Sequence, residues 1–207
     1  MEINDALDIN SWPVEFRQYL QEEVILVERV SSGRVLDVGC GKGRVIQLIA
    51  DKVESYTGVD VDEKVLENAR KVAKSYSNAT LVNKDARDIV SLFGEKYFDT
   101  VLCLFNTIGA MPEPKKVLEQ ISKVSKKKIL ITLAAKGQLN RRIKYYQALE
   151  IEYSVNDKTE TITSHVWGES KAYSFTDLEK IAKLLKSKII EKGTIADLMI
   201  YGIFERF

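Results

Sequence analysis

The chain has 207 residues, enough for one domain with a sizeable core. Hydrophobic residues make up 45% and charged residues 29%, which excludes a disordered chain and predicts a folded one. The net charge of +1, from 31 basic and 30 acidic residues, argues against a nucleic-acid-binding surface.

No apolar run approaches the roughly 20 residues that span a bilayer. The start, Met1-Glu2-Ile3-Asn4-Asp5, is acidic and has no signal-peptide pattern, so a cytoplasmic protein without membrane contact is expected. In chain order, apolar periodicity with Pro13 at the first turn predicts a helix through Val14, Phe16, Tyr19, Leu20, Val24, Val27 and Val30. Strands are expected at about 33–38, 54–60, 79–83, 98–105 and 129–133, with helices at about 43–52, from Asp62 onward, up to Phe93, and after Pro112 and Pro114. Asp62 reads as the cap of the helix that follows it. The basic run Lys126-Lys127-Lys128 reads as a solvated strand entrance. This alternation of strand and helix predicts a parallel sheet covered on both faces.

Residues 136–172 break the alternation. They hold a helical stretch around Arg142, Tyr145, Tyr146 and Leu149, then alternating runs Ile151-Tyr153-Val155 and Thr161-Thr163-His165-Trp167 around Asn156-Asp157, a hairpin signature. Thr176-Asp177-Leu178-Glu179 reads as a capping box, followed by strands from Ile189 and from Leu198 to Phe204. Cys40 and Cys103 each end a predicted buried strand and are expected as core thiols; with a single histidine, no metal site is expected.

The segment with the most chemistry is Val35-Leu36-Asp37-Val38-Gly39-Cys40-Gly41-Lys42-Gly43-Arg44. A strand runs into glycines at alternate positions and then into a helical pattern, so backbone N–H groups can meet a ligand closely. A second strand ends in Asp60, where a carboxylate would reach a ribose. The glycines do not fit the dinucleotide G-x-G-x-x-G spacing, since Arg44 stands where the third would be needed, which disfavours a nicotinamide oxidoreductase.

The D-x-G-x-G-x-G run resembles motif I of the class I S-adenosylmethionine-dependent methyltransferases. Gly58-Val59-Asp60-Val61-Asp62, Val82-Asn83-Lys84-Asp85-Ala86 and Phe98–Phe105 resemble that family's next elements, in order. The resemblance implies an α/β, Rossmann-like fold whose seven-stranded, mostly parallel sheet runs 3-2-1-4-5-7-6. It implies S-adenosyl-L-methionine as cofactor and S-adenosyl-L-homocysteine as product. It also implies that Asp37 holds the loop and the methionyl amino group, with Gly39, Cys40, Gly41 and Gly43 as loop contacts. Asp60 would hold the ribose, Val61 would flank the adenine, and Asp85 and Ala86 would read the adenine edge. The carbonyls of Leu104 and Phe105 would lie by the methionyl ammonium.

For the acceptor, Phe105-Asn106-Thr107-Ile108-Gly109-Ala110-Met111 lacks the proline pair of enzymes acting on adenine rings, some guanines or glutamine amides. It resembles glycine N-methyltransferase-like enzymes, with Asn106 toward the acceptor. Within 136–172, Tyr145, Tyr146, Tyr153, Trp167 and the nearby Tyr173 either wall an acceptor pocket or pack the hairpin onto the sheet. Arg141 and Arg142 read as carboxylate contacts or as surface residues. His165 reads as a general base for a hydroxyl acceptor or as a structural histidine. The expectation is one methyltransferase domain, 1–207, with residues 1–32 as a helical lid. It would methylate nitrogen or oxygen of a small molecule. The alternatives are a protein or RNA target, or a cofactor-binding subunit without activity. Oligomeric state is left open.

Overall fold

The computed structural model describes residues 12–207. The first eleven residues of the expected lid, and the acidic start of the chain, lie outside the described residues.

Four parallel strands lie where apolar runs were read: β1 (Arg34–Val38), β2 (Ser55–Asp60), β3 (Ala79–Asn83) and β4 (Phe98–Cys103). β5 (Ser125–Ala134) pairs parallel with β4, and its lysine-rich start extends the expected strand. Lys126 and Lys127 stand 3.5 and 3.7 Å from Asp99 at that entrance. Further along come a small three-stranded sheet, β6 (Tyr153–Asn156), β7 (Thr161–Ser164) and β8 (Gly168–Ser170), and then β9 (Ser187–Ile195) and β10 (Met199–Arg206). The large sheet has seven strands in the order β3-β2-β1-β4-β5-β10-β9, and β10 runs antiparallel to both β5 and β9. This is the order 3-2-1-4-5-7-6, with β9 and β10 as its sixth and seventh strands.

The strands' period of two sends their side chains into two core layers. Val35, Leu102 and Leu130 face α1 (Val14–Val30) and α2 (Ile46–Ile49). Leu36, Val38, Val101, Ile129 and Ile131 face the other layer, which includes α4 (Ile89–Phe93), α6 (Pro114–Val124) and α8 (Phe175–Leu185). α3 (Glu63–Ala73) begins at Asp62, whose carboxylate accepts from the Lys64 and Val65 N–H groups, a cap that contributes about 1 kcal/mol. The short α5 (Thr107–Ala110) and the insertion helix α7 (Leu139–Ala148) complete the set of α-helices among the described residues.

Several expectations are corrected. The helix expected at 43–52 is only α2 followed by a 3-10 turn, Ala50–Lys52, because Gly43 at φ 80° holds the chain in a turn first. β4 stops at Cys103, since Phe105 and Asn106 take left-handed backbone at φ 52° and 60°. The capping box of α8 uses Ser174 and Asp177, two residues earlier than the expected pair: the Asp177 carboxylate accepts from Ser174 N–H at 2.9 Å. The hairpin has a third strand, β8, and His165 and Trp167 sit in the turn before it rather than on β7.

Candidate active site

The loop after β1 is shaped by its glycines. Gly39 has φ 74°, and a Cβ there would lie 2.4 Å from the Thr107 methyl; at Gly43, φ 80°, it would lie 3.0 Å from Ala69 Cβ on α3. Both positions therefore demand glycine on two independent grounds, backbone conformation and space. Gly39 N–H and Cys40 N–H donate to the Val59 carbonyl at 2.8 and 3.1 Å, which ties the loop to the end of β2.

Asp60 closes that junction. One carboxylate oxygen accepts from Gly41 N–H at 2.9 Å and the other from Asp62 N–H at 3.0 Å. The carboxylate is thereby fixed at the loop's mouth, with further lone pairs on both oxygens. Over Gly41 there is room, because a Cβ there would meet only Val65, at 4.0 Å. Val61, beside it, is 70% exposed.

Asp37 lies beneath, fully buried, and accepts from the Tyr56 hydroxyl at 2.8 Å. Burial pushes its carboxyl up to about 6, against the Tyr56 hydrogen bond and the Arg44 charge, and the Glu23 and Asp60 carboxylates add to the rise. Cys40 and Cys103 are buried free thiols, and burial pushes both up, so they stay protonated.

The tips of β2 and β3 are joined. Lys84 N–H donates to the Asp60 carbonyl at 3.0 Å, and the Asn83 amide donates to the carbonyls of Asp60 and Val61. Asp85 follows. It accepts from Arg87 N–H at 2.8 Å, capping the turn at Ala86–Asp88, and the Arg87 guanidinium holds its carboxyl below the usual range. Arg87 also reaches Glu113, so Asp85 is both cap and ion-pair partner, while Ala86 is buried beside it.

At the end of β4 the Leu104 carbonyl accepts from Thr107 N–H and Oγ1 at 3.1 and 2.6 Å. Phe105 N–H donates to Thr132 Oγ1 at 2.7 Å and to the Tyr19 hydroxyl at 3.2 Å. Those two hydroxyls both donate to Glu23, a fully buried carboxylate on α1, which also receives Arg44 from the glycine loop. The sequence reading missed this cluster, though it left a signal: Glu23 interrupts the apolar stripe of α1, and Thr132 interrupts the apolar run of β5.

The expected acceptor residues divide. Asn106 is buried and structural: its amide donates to Ser170 Oγ and the Lys171 carbonyl, and its oxygen accepts from Ala134 N–H at 3.0 Å. Arg142 is likewise buried, donating to the carbonyls of Glu160 and Ser170 at 2.7 and 2.5 Å, and Arg141 reaches the Asp197 carbonyl. Tyr145, Tyr146 and Trp167 come together with Trp12, Phe16 and Phe105 in one aromatic cluster. Tyr153 adjoins it through Tyr146, whereas Tyr173 packs against the opposite core layer. His165 is exposed on the turn that carries Trp167. Among the described residues no group of His, Cys, Asp or Glu could hold a metal, and no helix is long and apolar enough to cross a membrane.

A family model described as a methyltransferase domain matches residues 29–187. The chain belongs to the class I S-adenosylmethionine-dependent methyltransferases. Over 101 residues, 49% of this methyltransferase, it is 26% identical to the ubiquinone biosynthesis O-methyltransferase of Nitrosomonas europaea, 43% of which is matched. The chain spans less than half the length of the curated relatives it matches first. Its fold is that of the PH0226 protein from Pyrococcus horikoshii OT3, at TM-score 0.70 and 21% identity, with 94% of this chain and 93% of that one covered. The magnesium protoporphyrin IX methyltransferase of Synechocystis PCC 6803, solved with S-adenosylhomocysteine, aligns at TM-score 0.67 and 19% identity, covering 96% and 86%.

Proposed function

We propose that this methyltransferase moves a methyl group from S-adenosyl-L-methionine to nitrogen or oxygen of a small-molecule acceptor. One observation carries the cofactor half of the reading: the Asp60 carboxylate, fixed by Gly41 N–H and Asp62 N–H, borders open space over the glycine loop. A carboxylate so held takes the two adjacent hydroxyls of a ribose. Val61 flanks the adenine, Asp85 and Ala86 read its edge, and Asp37 with the Leu104–Phe105 turn faces the methionyl group. Gly39, Cys40, Gly41 and Gly43 line the approach. When bound, the cofactor supplies an electrophilic methyl on a sulfonium that departs as a neutral thioether with its bonding electron pair.

The chain's own task is alignment and exclusion of water. Buried aromatic rings next to Phe105 suit both. His165 is exposed, and the transfer uses no protein base: the acceptor's proton passes to solvent. The insertion at 136–172 and α1 form the acceptor side.

The test is calorimetric titration with S-adenosylmethionine, S-adenosylhomocysteine and NADH, followed by transfer of labelled methyl into small-molecule and macromolecular fractions. Micromolar binding of the two sulfur nucleosides and label in small molecules are expected. Label in protein or RNA would redirect the acceptor claim, and binding without any transfer would leave a cofactor-binding subunit.

Asp37 sets a pH dependence. Its folded value near 6 lies above the ordinary 3.9, so its stabilising effect is full below pH 4 and lost as pH rises through 6. The ligand-free protein should lose about 3 kcal/mol of stability across that window, read from urea melts. A cationic ammonium beside Asp37 favours the ionised form, so S-adenosylhomocysteine affinity should rise about tenfold between pH 5 and pH 7. Asp37→Asn should flatten both curves; a slope that survives in that variant assigns the effect elsewhere.

A further inference from the structure

The Tyr145 ring occupies a slot. One face stacks on Phe16 at 4.3 Å and 15°, and Trp167 stacks on it at 5.5 Å and 12°. Phe16 and Trp167 make no ring contact with each other although both lie nearly parallel to Tyr145, the arrangement of rings stacked on its two faces. Trp12, Phe105 and Tyr146 meet its rim edge-on at 4.9, 6.1 and 6.2 Å. Three separate pieces of chain build these walls: α1 with Trp12 just before it, the turn after β4, and the insertion.

What distinguishes Tyr145 is its hydroxyl. Among the buried tyrosines, Tyr19 and Tyr56 bond carboxylates through theirs, and the Ser170 side chain acts on that of Tyr146. The Tyr145 hydroxyl makes no hydrogen bond among the described residues, so only ring stacking keeps it in place. Its hydroxyl is not among the buried polar atoms left without a partner, so it meets solvent, and a phenol held this way is easily exchanged for another flat ring because no hydrogen bond within the protein is broken when it leaves. The cations beside it are engaged elsewhere: Arg142 donates to backbone carbonyls and Lys144 pairs with Glu15.

We infer that this slot is the acceptor site, that the acceptor is a planar, uncharged aromatic or heteroaromatic ring, and that Tyr145 is a plug which the acceptor displaces from between Phe16 and Trp167. This inference rests on the methyltransferase reading above. It places the acceptor's edge toward Phe105, at the end of β4, where the methionyl side of the cofactor is assigned. Offset-stacked and edge-on rings select flat, π-bearing partners over saturated ones of equal size.

The experiment is calorimetric titration of 2-naphthol and of decahydro-2-naphthol, the same skeleton without aromaticity, into the chain saturated with S-adenosylhomocysteine. The flat ring should bind at least tenfold more tightly. Tyr145→Ala, which empties the slot, should bind 2-naphthol at least fivefold more tightly than wild type with unchanged S-adenosylhomocysteine affinity. Phe16→Leu, which stays apolar but removes one aromatic wall, should bind it at least fivefold more weakly. Equal binding of the two alcohols, or a folded Tyr145→Ala no better than wild type, overturns the inference. Should Tyr145→Ala fail to fold, Phe16→Leu decides alone. Loss of S-adenosylhomocysteine binding by wild type would sink the cofactor reading and this one with it; its retention beside indifference to flat rings sinks this one only.

Discussion

Asp60→Ala is expected to weaken S-adenosylhomocysteine binding about a hundredfold while leaving the melting temperature within a few degrees of wild type. Two charge-assisted hydrogen bonds to a ribose, at roughly 1.5 kcal/mol each, account for about 3 kcal/mol, and each 1.4 kcal/mol is tenfold in affinity. The variant also frees the Gly41 and Asp62 N–H groups from their acceptor, so the loop mouth loses the anchor that now holds it. Asp60 is only half-buried and those amides can turn to water, which keeps the stability effect small. Asp60→Asn is the informative companion. It keeps one acceptor oxygen for the loop but removes the charge, so it should fall between wild type and alanine. Calorimetry on all three proteins checks the series. An alanine variant that binds within threefold of wild type would remove Asp60 from the site.

How far the site could be read from sequence follows from how local each device is. The glycine loop, the Asp62 cap and the acidic tip of β2 are written in consecutive residues, and the structure has them where they were read. The strand order, including the returning β10, was carried by the family resemblance rather than by periodicity. For Asn106, a residue's identity does not show its direction. Its left-handed backbone turns the amide back into β5 and β8 instead of toward an acceptor. The Ser174 cap was missed by two residues, since an Asp can serve at the third helical position where a Glu was sought. The aromatic slot draws on α1, the β4 turn and α7, which stand far apart in sequence. No spacing rule could have assembled Phe16, Phe105 and Tyr145.

Glu23→Ala is expected to lower the free energy of unfolding by about 3 kcal/mol, the lower end of the cost of stripping one partner from a buried ion pair. The carboxylate is fully buried and is met by Arg44, Thr132 Oγ1 and the Tyr19 hydroxyl. Arg44 keeps a third of its side chain in solvent, which moderates the penalty once its anion is gone, although its Nη1 is already buried without a partner. Glu23→Gln retains the hydroxyl contacts and should cost about 1–2 kcal/mol. The double variant Glu23→Met, Arg44→Met removes both charges, and it should recover most of what Glu23→Ala loses, because replacing a buried pair with apolar groups is often neutral. Urea denaturation of the four proteins measures these losses, and the single variants Glu23→Met and Arg44→Met close the cycle that gives the coupling. Stability alone would make this a structural detail. Yet Thr132 and Tyr19, both held by Glu23, together fix Phe105 N–H at the end of β4. Cofactor affinity should therefore fall severalfold in Glu23→Ala even at temperatures where it is fully folded, and remain low in the double variant that regains stability. Recovery of both together would mean that the cluster acts on folding alone; recovery of stability without affinity is the outcome expected if α1 positions the site through Glu23.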